Sequence, residues 1–338
     1  MGRKCTRKDV ARLANVSEST VSYVLSGKKR MSKRVEAQIF EAAKTLGYAV
    51  NHSAHVMSSG KSETICYLTE SSMVYNQYMI ICGIEKRAAE KDYWLNIKTS
   101  IDLMNFEKTM QSMISRNVEG IILSINPIYL EKECVDRLTE HGIKILLSIG
   151  TFDKEYDLSV ISPDYWEGME QTVAHLYSLG HRNIVHVALN GEHGKYDTRC
   201  PGFLKAIRKR ELEEKIVYTD YNIDCEKELA EQAVDKILNQ MPETTAIVFL
   251  NETMAIYGMR RLVERGYKVP EDVSIVGVDE GLLGAIAEPK VSTLRFDNFS
   301  FGAKSFDVLY EYIRTGIKTK TLFPLEFVEK GSTGQARR

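Results

Sequence analysis

The sequence lacks the features of a secreted, membrane-embedded or zinc-stabilised protein. Its 338 residues include six cysteines, none of which forms a C-x-x-C pair or has a histidine at zinc-ligand spacing; this argues against a disulfide framework and a structural zinc site. No run approaches the roughly 18 apolar residues that a membrane-spanning helix needs. Residues 1–10 are charged where a secretion signal would be apolar. We therefore expect a cytoplasmic protein with reduced thiols and no membrane partner.

Motifs for catalysis and nucleotide binding are also missing. The chain contains no G-x-S-x-G or H-E-x-x-H motif, and no G-x-G-x-x-G follows the first predicted strand. The G-K-S triplet at 60–62 is no phosphate-binding loop, because that motif needs glycine where His55 stands. His181, His186 and His193 have no ordered nucleophile beside them. We expect neither catalysis, nor a cofactor, nor a bound metal.

Charge is distributed unevenly along the chain. The formal net charge is −1, yet residues 1–61 carry +8 and the rest carries −9. A basic segment beside an acidic body is typical of polyanion binding, because each neutralised phosphate releases condensed counterions. A merely solvated basic face is the alternative that charge alone leaves open. We therefore predict nucleic acid as the partner of the basic segment.

Three short amphipathic helices are predicted within this segment. Thr6, Ser17 and Ser32 stand where helix N-caps are expected, and Gly27 and Gly47 stand where the second and third helices would end. The turn between the first two helices has only about three residues, which is the helix-turn-helix spacing. The apolar residues expected to face a shared core are Val10, Leu13, Ala14, Val21, Val24, Leu25, Val35, Ile39, Ala42, Ala43 and Leu46.

The second predicted helix has the character of a recognition helix. Its apolar stripe leaves Glu18, Ser19, Ser22 and Tyr23 to face a major groove, and small polar side chains let the backbone approach the bases. The basic run at 28–34 would hold phosphates without reading sequence. A three-helix protein-interaction module is the alternative reading.

A resemblance to the DNA-binding headpiece of the LacI/GalR family of bacterial transcription regulators runs through residues 6–51, TRKDVARLANVSESTVSYVLSGKKRMSKRVEAQIFEAAKTLGYAVN. It implies that residues 51–62 form a hinge that becomes helical on operator DNA, with Met57 as an apolar wedge in the minor groove. Many members have Arg where Tyr23 stands, so no particular guanine contact follows there. The implied DNA-binding residues are Thr6, Ser17, Glu18, Ser19, Thr20, Ser22, Tyr23, Lys28, Arg30, Asn51, Ala54 and Met57.

The rest of the chain alternates β-rich runs with amphipathic helices, which predicts parallel sheets covered by helices. The predicted strands are TICYLT, YWLNIK, GIILSI, KILLSI, NIVHVAL, TAIVFL and VSIVGV. The family resemblance extends here through GIEKRAAEKDYWL, LGHRNIVHV and VPEDVSIVGVDE. These segments are similar to the family's effector-binding core, which has the fold of periplasmic sugar-binding proteins.

The resemblance implies an all-α helix-turn-helix headpiece followed by an α/β core of two doubly wound lobes. The chain would cross between the lobes near Ile161, Val291 and Leu322. The predicted domains are residues 1–48 for the headpiece, 49–62 for the hinge, 63–161 with 292–322 for the N-terminal lobe, and 162–291 with 323–338 for the C-terminal lobe. Each lobe would therefore be discontinuous in sequence.

Ligands of such sheets bind beyond the carboxyl ends of the strands. Asn251 follows AIVFL, Asp279 follows SIVGV, and Arg199 precedes a helix; family members hold ligand hydroxyls at these matching positions, and guanidinium and carboxylate groups suit a sugar. A structural ion pair for Arg199 and a helix cap for Asp279 are the alternatives. The further effector-binding candidates are Asp164, Tyr221, Ser72, Asn76 and Phe296.

The sequence thus predicts a ligand-responsive repressor of a carbohydrate-utilisation operon that binds operator DNA as a homodimer. Asp164 and Asp279 oppose one Arg199, which favours a neutral polyol over an anionic effector, with a nucleobase or an amino sugar left open. A phosphorylated carrier protein is a further partner that the resemblance leaves open. The alternative function is a cytoplasmic sugar-binding protein or carbohydrate enzyme with a basic N-terminal tail.

Overall fold

The computed structural model describes residues 5–25, 31–48, 61–69, 75–99, 106–148, 157–220 and 225–337. The chain divides into two compact units, residues 1–62 and 63–338. Among the described residues, no helix combines the length and apolar character that crossing a membrane requires. The predictions made for Lys28, Arg30, Asn51, Ala54, Met57, Ser72 and Tyr221 lie outside the described residues.

The first unit contains helices α1 (Arg7–Leu13), α2 (Glu18–Leu25) and α3 (Lys33–Thr45). The three caps predicted from sequence are present. Asp9 Oδ2 accepts the Thr6 backbone N–H at 2.9 Å, and Ser17 Oγ accepts the Thr20 N–H at 3.1 Å. Ser32 Oγ caps α3. Local side-chain hydrogen bonds therefore set where these short helices begin.

The core of the first unit confirms most of the predicted inward face. Val10, Ala14 and Val21 are buried in it, as is Ile39 of α3. Leu13, which we expected to point inward, is 53% exposed. Ala11 is buried instead, because the inward face of α1 is centred between positions 10, 11 and 14, and Leu13 falls on its flank. The remaining buried residues are Val24, Ala42 and Ala43.

The second unit alternates strands and helices along its whole length. In chain order its elements are β1 (Thr64–Thr69), α4 (Tyr75–Ala89), β2 (Trp94–Lys98), α5 (Phe106–Ser115), β3 (Gly120–Ser124), a 3-10 turn (Pro127–Tyr129), α6 (Lys132–Glu140), β4 (Lys144–Ser148), β5 (Ser159–Pro163), α7 (Tyr165–Ser178), β6 (Ile184–Leu189), α8 (Gly191–Gly194), α9 (Arg199–Arg208), β7 (Lys215–Thr219), α10 (Glu226–Gln240), β8 (Ala246–Val248), α11 (Glu252–Glu264), β9 (Ser274–Val278), β10 (Ser292–Arg295), α12 (Asn298–Thr315), β11 (Lys320–Phe323) and β12 (Glu326–Val328).

These strands form two sheets, in the orders β11-β5-β4-β3-β1-β2 and β12-β10-β9-β8-β6-β7. Neighbouring strands are parallel except for β10 and β12. Each sheet is covered on both faces, since its side chains pack into two separate apolar clusters. This confirms the predicted core of two doubly wound lobes. The first lobe holds the first sheet, and the second lobe holds the second.

One predicted boundary is wrong. We placed residues 292–322 in the N-terminal lobe, but β10 pairs with β9 in the second sheet, and Leu294 is buried in the core of that lobe. The chain therefore returns to the first lobe after Arg295, not at Val291. The reason is that the β10 backbone hydrogen bonds and the burial of Leu294 both stabilise the second sheet. The other crossings follow β5 and β11, after Pro163 and Phe323.

Candidate nucleic-acid interface and effector site

Helix α2 presents a polar face beside a buried apolar one. Val21 and Val24 are buried, whereas Glu18 and Ser19 are exposed and Tyr23 is 44% exposed. The Ser17 hydroxyl lies 2.8 Å from Ser19 Oγ and 2.7 Å from Thr20 Oγ1. Ser17, Ser19 and Thr20, three of the predicted DNA-contacting residues, therefore form one hydrogen-bonded group at the N-terminus of α2.

Two of the predicted DNA contacts are engaged within the unit itself. Arg7 of α1 donates from Nη1 to Ser22 Oγ at 2.8 Å. The Thr6 hydroxyl donates to Asp9 Oδ2 at 2.6 Å. Sequence reasoning identified the Thr6–Asp9 cap but missed Arg7, because no local pattern relates it to Ser22. Arg7 thus orients the Ser22 side chain on α2 and places a cation next to it.

The two lobes meet where β5 ends. Asp164 follows β5 and caps α7, with its Oδ1 accepting the Glu167 N–H at 3.2 Å. Its own backbone N–H donates to the Phe323 carbonyl at 2.8 Å. Asp164, predicted as an effector contact, therefore holds α7 next to the end of β11. Its position at the crossing is compatible with a ligand role but is explained by capping alone.

Arg199 and Asp279 lie together at the carboxyl ends of the second sheet. Arg199 Nε donates to Asp197 Oδ1 at 2.8 Å, and Nη1 donates to the Leu250 carbonyl at 2.8 Å. Arg199 Nη1 also lies 3.6 Å from Asp279 Oδ2. The exposed fractions of the three side chains are 16% for Arg199, 6% for Asp197 and 25% for Asp279. The guanidinium is therefore held in place before any ligand binds.

Tyr165 completes this network and was not predicted. Its hydroxyl donates to both Asp279 oxygens, at 2.8 Å and 3.0 Å. Burial raises the pKa of Tyr165 well above its usual value, so the hydroxyl keeps its proton and remains a donor. Burial also raises the pKa of Asp279, and Arg199 and Tyr165 oppose that shift. A position directly after an inter-lobe crossing was the only sequence signal that could have indicated Tyr165.

Asn251 belongs to a second polar group at the same carboxyl edge of the second sheet. Its Oδ1 caps α11 by accepting the Met254 N–H at 2.8 Å, and its Nδ2 donates to Glu226 Oε1 at 2.5 Å. Burial raises the pKa of Glu226, while Asn251 lowers it. Glu226, also missed from sequence, places a carboxylate on Asn251, the residue after Leu250, whose carbonyl binds Arg199. The two groups are therefore adjacent along the chain.

A hydrogen bond joins the two lobes at this site. Asn76 of α4, in the first lobe, donates from Nδ2 to the Asp279 carbonyl in the second lobe at 3.2 Å. Asp279 has a positive φ of 61°, a conformation that costs a non-glycine residue some strain. The Phe296 ring centroid lies 5.1 Å from that of Phe301 and 6.2 Å from that of Phe323. Phe296 thus packs between aromatic rings where the chain passes from one lobe to the other.

The chemistry of the site is that of a receptor for hydrogen-bond donors. Asp197 and Asp279 oppose one guanidinium, and Glu226 adds a further carboxylate nearby. In the part of the chain that the structure describes, no group of three or more His, Cys, Asp or Glu side chains could hold a metal ion. The arrangement can fix a polar ligand by several hydrogen bonds.

Comparison with known proteins agrees with both the helix-turn-helix unit and the two-lobed core. Residues 6–51 match the family described as bacterial regulatory proteins, lacI family, and residues 173–333 match the periplasmic binding protein-like domain. The HTH-type transcriptional repressor PurR of Vibrio cholerae is 27% identical over 334 residues, which cover 96% of this chain and 97% of that protein.

Solved structures show the same fold. The lac repressor dimer bound to operator and the anti-inducer ONPF has a TM-score of 0.83 and 22% identity, covering 98% of this chain and all of that one. A LacI family regulator from Enterococcus faecium with bound ribose has a TM-score of 0.69 and 22% identity, over 81% of this chain and all of that one. The chain therefore combines a DNA-binding domain of the lacI family with a periplasmic binding protein-like domain, and it is a DNA-binding transcription regulator with an effector-binding domain, like its relatives.

Proposed function

We propose that this regulator represses a carbohydrate-utilisation operon in the cytoplasm, and that a neutral sugar-type effector bound between the lobes changes its affinity for operator DNA. The observation that supports this most directly is the network around Asp279. Its carboxylate binds Tyr165 and pairs with Arg199 in the second lobe, while its carbonyl accepts from Asn76 in the first. One residue therefore joins the ligand-binding groups to the contact between the lobes.

The balance of charge supports a neutral effector. Within the described network, an anionic ligand would meet the carboxylates of Asp197, Asp279 and Glu226, with Arg199 as the compensating cation. Sugar hydroxyls, in contrast, donate well to carboxylate oxygens. The Enterococcus faecium relative with bound ribose is compatible with this choice. No contact among the described residues favours a phosphorylated carrier protein as the partner.

The mechanism is thermodynamic linkage. A ligand that competes for the Asp279 carboxylate displaces or moves the Tyr165 hydroxyl, and the shift is transmitted to the Asn76–Asp279 bond between the lobes. The relative population of lobe arrangements then changes by the ligand's differential affinity for them. We further propose that two chains act together as a homodimer, because one helix-turn-helix unit reads only one half-site.

Arg199→Ala tests the proposal, with Arg208→Ala as a control on the same helix. Arg208 pairs with Glu214 on the surface, and its side chain is 63% exposed. We expect both full-length variants to bind the DNA upstream of the protein's own gene as the natural chain does. D-ribose and D-glucose should change that affinity in the natural chain and in Arg208→Ala but not in Arg199→Ala. Fluorescence anisotropy of labelled DNA provides the measurement, and an unaltered sugar response in Arg199→Ala would contradict the assignment.

A further inference from the structure

The outer face of α2 carries polar groups but no cation of its own. The helix reads ESTVSYVL, with an acid at its first position and no lysine or arginine. Glu18 and Ser19 are exposed, and Ser22 lies one turn further along the same side. Guanine is most often recognised by a guanidinium that donates two hydrogen bonds to its O6 and N7 atoms. A guanidinium on this face therefore has to come from another element.

Arg7 of α1 supplies a guanidinium to this face. Its Nη1 donates to Ser22 Oγ at 2.8 Å, across 15 positions of the sequence. Val10 of α1 and Val21 of α2 are fully buried in one shared core, so packing fixes how the two helices lie against each other. Arg7 is exposed and Ser22 is partly buried. The charged end of Arg7 therefore lies beside a residue of the outer face of α2.

The Arg7 guanidinium keeps a bidentate edge for a ligand. Its bond to Ser22 uses Nη1, and within the residues that the structure describes the parallel N–H groups of Nε and Nη2 bind no protein acceptor. Arg12, on the same helix, has a carboxylate neighbour instead, since its Nη1 lies 3.9 Å from Asp9 Oδ1. The Nε–Nη2 edge is the planar fork that matches a pair of acceptors such as O6 and N7 of guanine.

The stability of the unit does not explain an arginine at position 7. Arg7 is the first residue of α1, where a positive charge opposes the helix macrodipole. Its hydrogen bond to Ser22 is exposed, and a hydrogen bond of this kind contributes only about 1 kcal/mol. A phosphate is the other DNA group that a guanidinium binds. The bond to Ser22 favours a base, because it holds Arg7 on the face of α2 that a major groove would receive.

We propose that Arg7 reads sequence: its Nε–Nη2 edge binds O6 and N7 of one guanine in each half-site of the operator, and Ser22 is the positioning residue that orients the guanidinium. The first helix then contributes to specificity together with α2. The inference depends on DNA binding by the first unit and not on which effector binds the second. Loss of Arg7 should therefore remove the preference for one base while general attraction to DNA remains.

Selection of duplexes from a random pool by the full-length chain, followed by sequencing, gives the preferred half-site. Arg7→Ala is compared with Arg12→Ala, a matched control on the same helix whose side chain is 71% exposed. We expect the natural chain and Arg12→Ala to select the same half-site, with a guanine at one position that Arg7→Ala no longer selects. Selection of the same bases by all three proteins would overturn the inference, as would a natural chain that selects no guanine.

Fluorescence anisotropy with the selected duplex, and with the same duplex carrying A·T in place of that G·C pair, separates a base contact from a phosphate contact. We expect the natural chain to prefer the G·C duplex by about tenfold or more. Arg7→Ala should bind the two duplexes about equally. Ser22→Ala should lose part of the preference, because Arg7 is then less well oriented.

Arg7→Lys keeps the charge but loses the planar fork, so it should also lose most of the preference. This variant decides the question if Arg7→Ala binds neither duplex. A full preference in Arg7→Lys would overturn the inference. So would an equal loss of affinity for both duplexes in Arg7→Ala with a salt slope shallower by about 1, because that result assigns Arg7 to a phosphate.

Discussion

At the scale of single residues, His186 shows how a residue type that suggests catalysis can be structural. It lies on β6 and is fully buried, with Nδ1 2.9 Å from the Val248 carbonyl and its ring 5.1 Å from that of Phe203. Nδ1 is thus the protonated nitrogen, and Nε2 is buried without a partner in the described part of the chain. Burial lowers the pKa of His186 to about 4.

His186 should make the stability of the fold depend on pH. Since its pKa is about 4 in the folded chain and near 6.5 when unfolded, the unfolded state binds the proton more readily. The contribution of neutral His186 to the free energy of unfolding is therefore fully present above about pH 6.5 and is lost as the pH falls toward 4. Between pH 7 and 5 we expect the free energy of unfolding to fall by about 2 kcal/mol. Urea unfolding at pH 7 and at pH 5 measures this fall in the free energy of unfolding. Replacing His186 by Phe should remove this part of the loss, whereas changing the exposed His141 to Ala should not.

At the scale of elements, α4 and α12 are packed backbone to backbone. A Cβ atom on Gly83 would collide with the Phe299 carbonyl oxygen and approach the Ala303 nitrogen to 2.9 Å. One on Gly302 would collide with the Ile80 carbonyl oxygen. Glycine is needed at both positions because the helices leave no room for a side chain. This contact also sets how α12 lies against α4, which carries Asn76.

Gly83→Ala should lower the free energy of unfolding by about 1–3 kcal/mol, because the new methyl group must push the two helices apart. The higher helix propensity of alanine offsets only part of that loss. Glu85→Ala, at an exposed position of the same helix, should change the free energy by less than about 0.5 kcal/mol. Chemical denaturation of the two variants measures the difference. Equal stabilities would mean that the close approach of the helices is not required.

At the scale of the whole molecule, charge separates the two functions. Residues 1–61 carry +8 and the rest carries −9, and the division falls at the boundary between the two compact units. A basic unit binds phosphates by releasing counterions, and an acidic body does not compete for them. We therefore expect DNA binding and effector binding to depend differently on salt.

We expect the affinity for operator DNA to fall at least about a thousandfold between 50 mM and 200 mM salt, since a protein that neutralises six or more phosphates loses about that much. Sugar binding by the same full-length chain should change far less, because it depends on buried hydrogen bonds. Removal of residues 1–62, which form their own unit, should abolish DNA binding and leave sugar binding in place. Promoter binding that persists without these residues would contradict the separation of functions. Anisotropy and calorimetry over a salt series supply both measurements.

Sequence by itself determined the local elements and the positions of the main polar groups. The caps at Thr6, Ser17 and Ser32 are set by spacings of three residues, and the strands are set by short apolar runs, so both are visible without the fold. Asp279 was found because a polar residue directly after a buried strand marks the edge where ligands bind, and Arg199 because it matches a ligand-holding position of the family. These signals are local, and the tertiary structure preserved them.

Only the tertiary structure decided the partners. Tyr165 reaches Asp279 across 114 positions, and Asn76 reaches the same residue across 203. It also assigned β10 to the second sheet and placed Arg7 beside Ser22. No local pattern encodes such contacts, because strand register and helix packing bring distant side chains together, and a hydrogen bond depends on their separation in space to within a few tenths of an ångström.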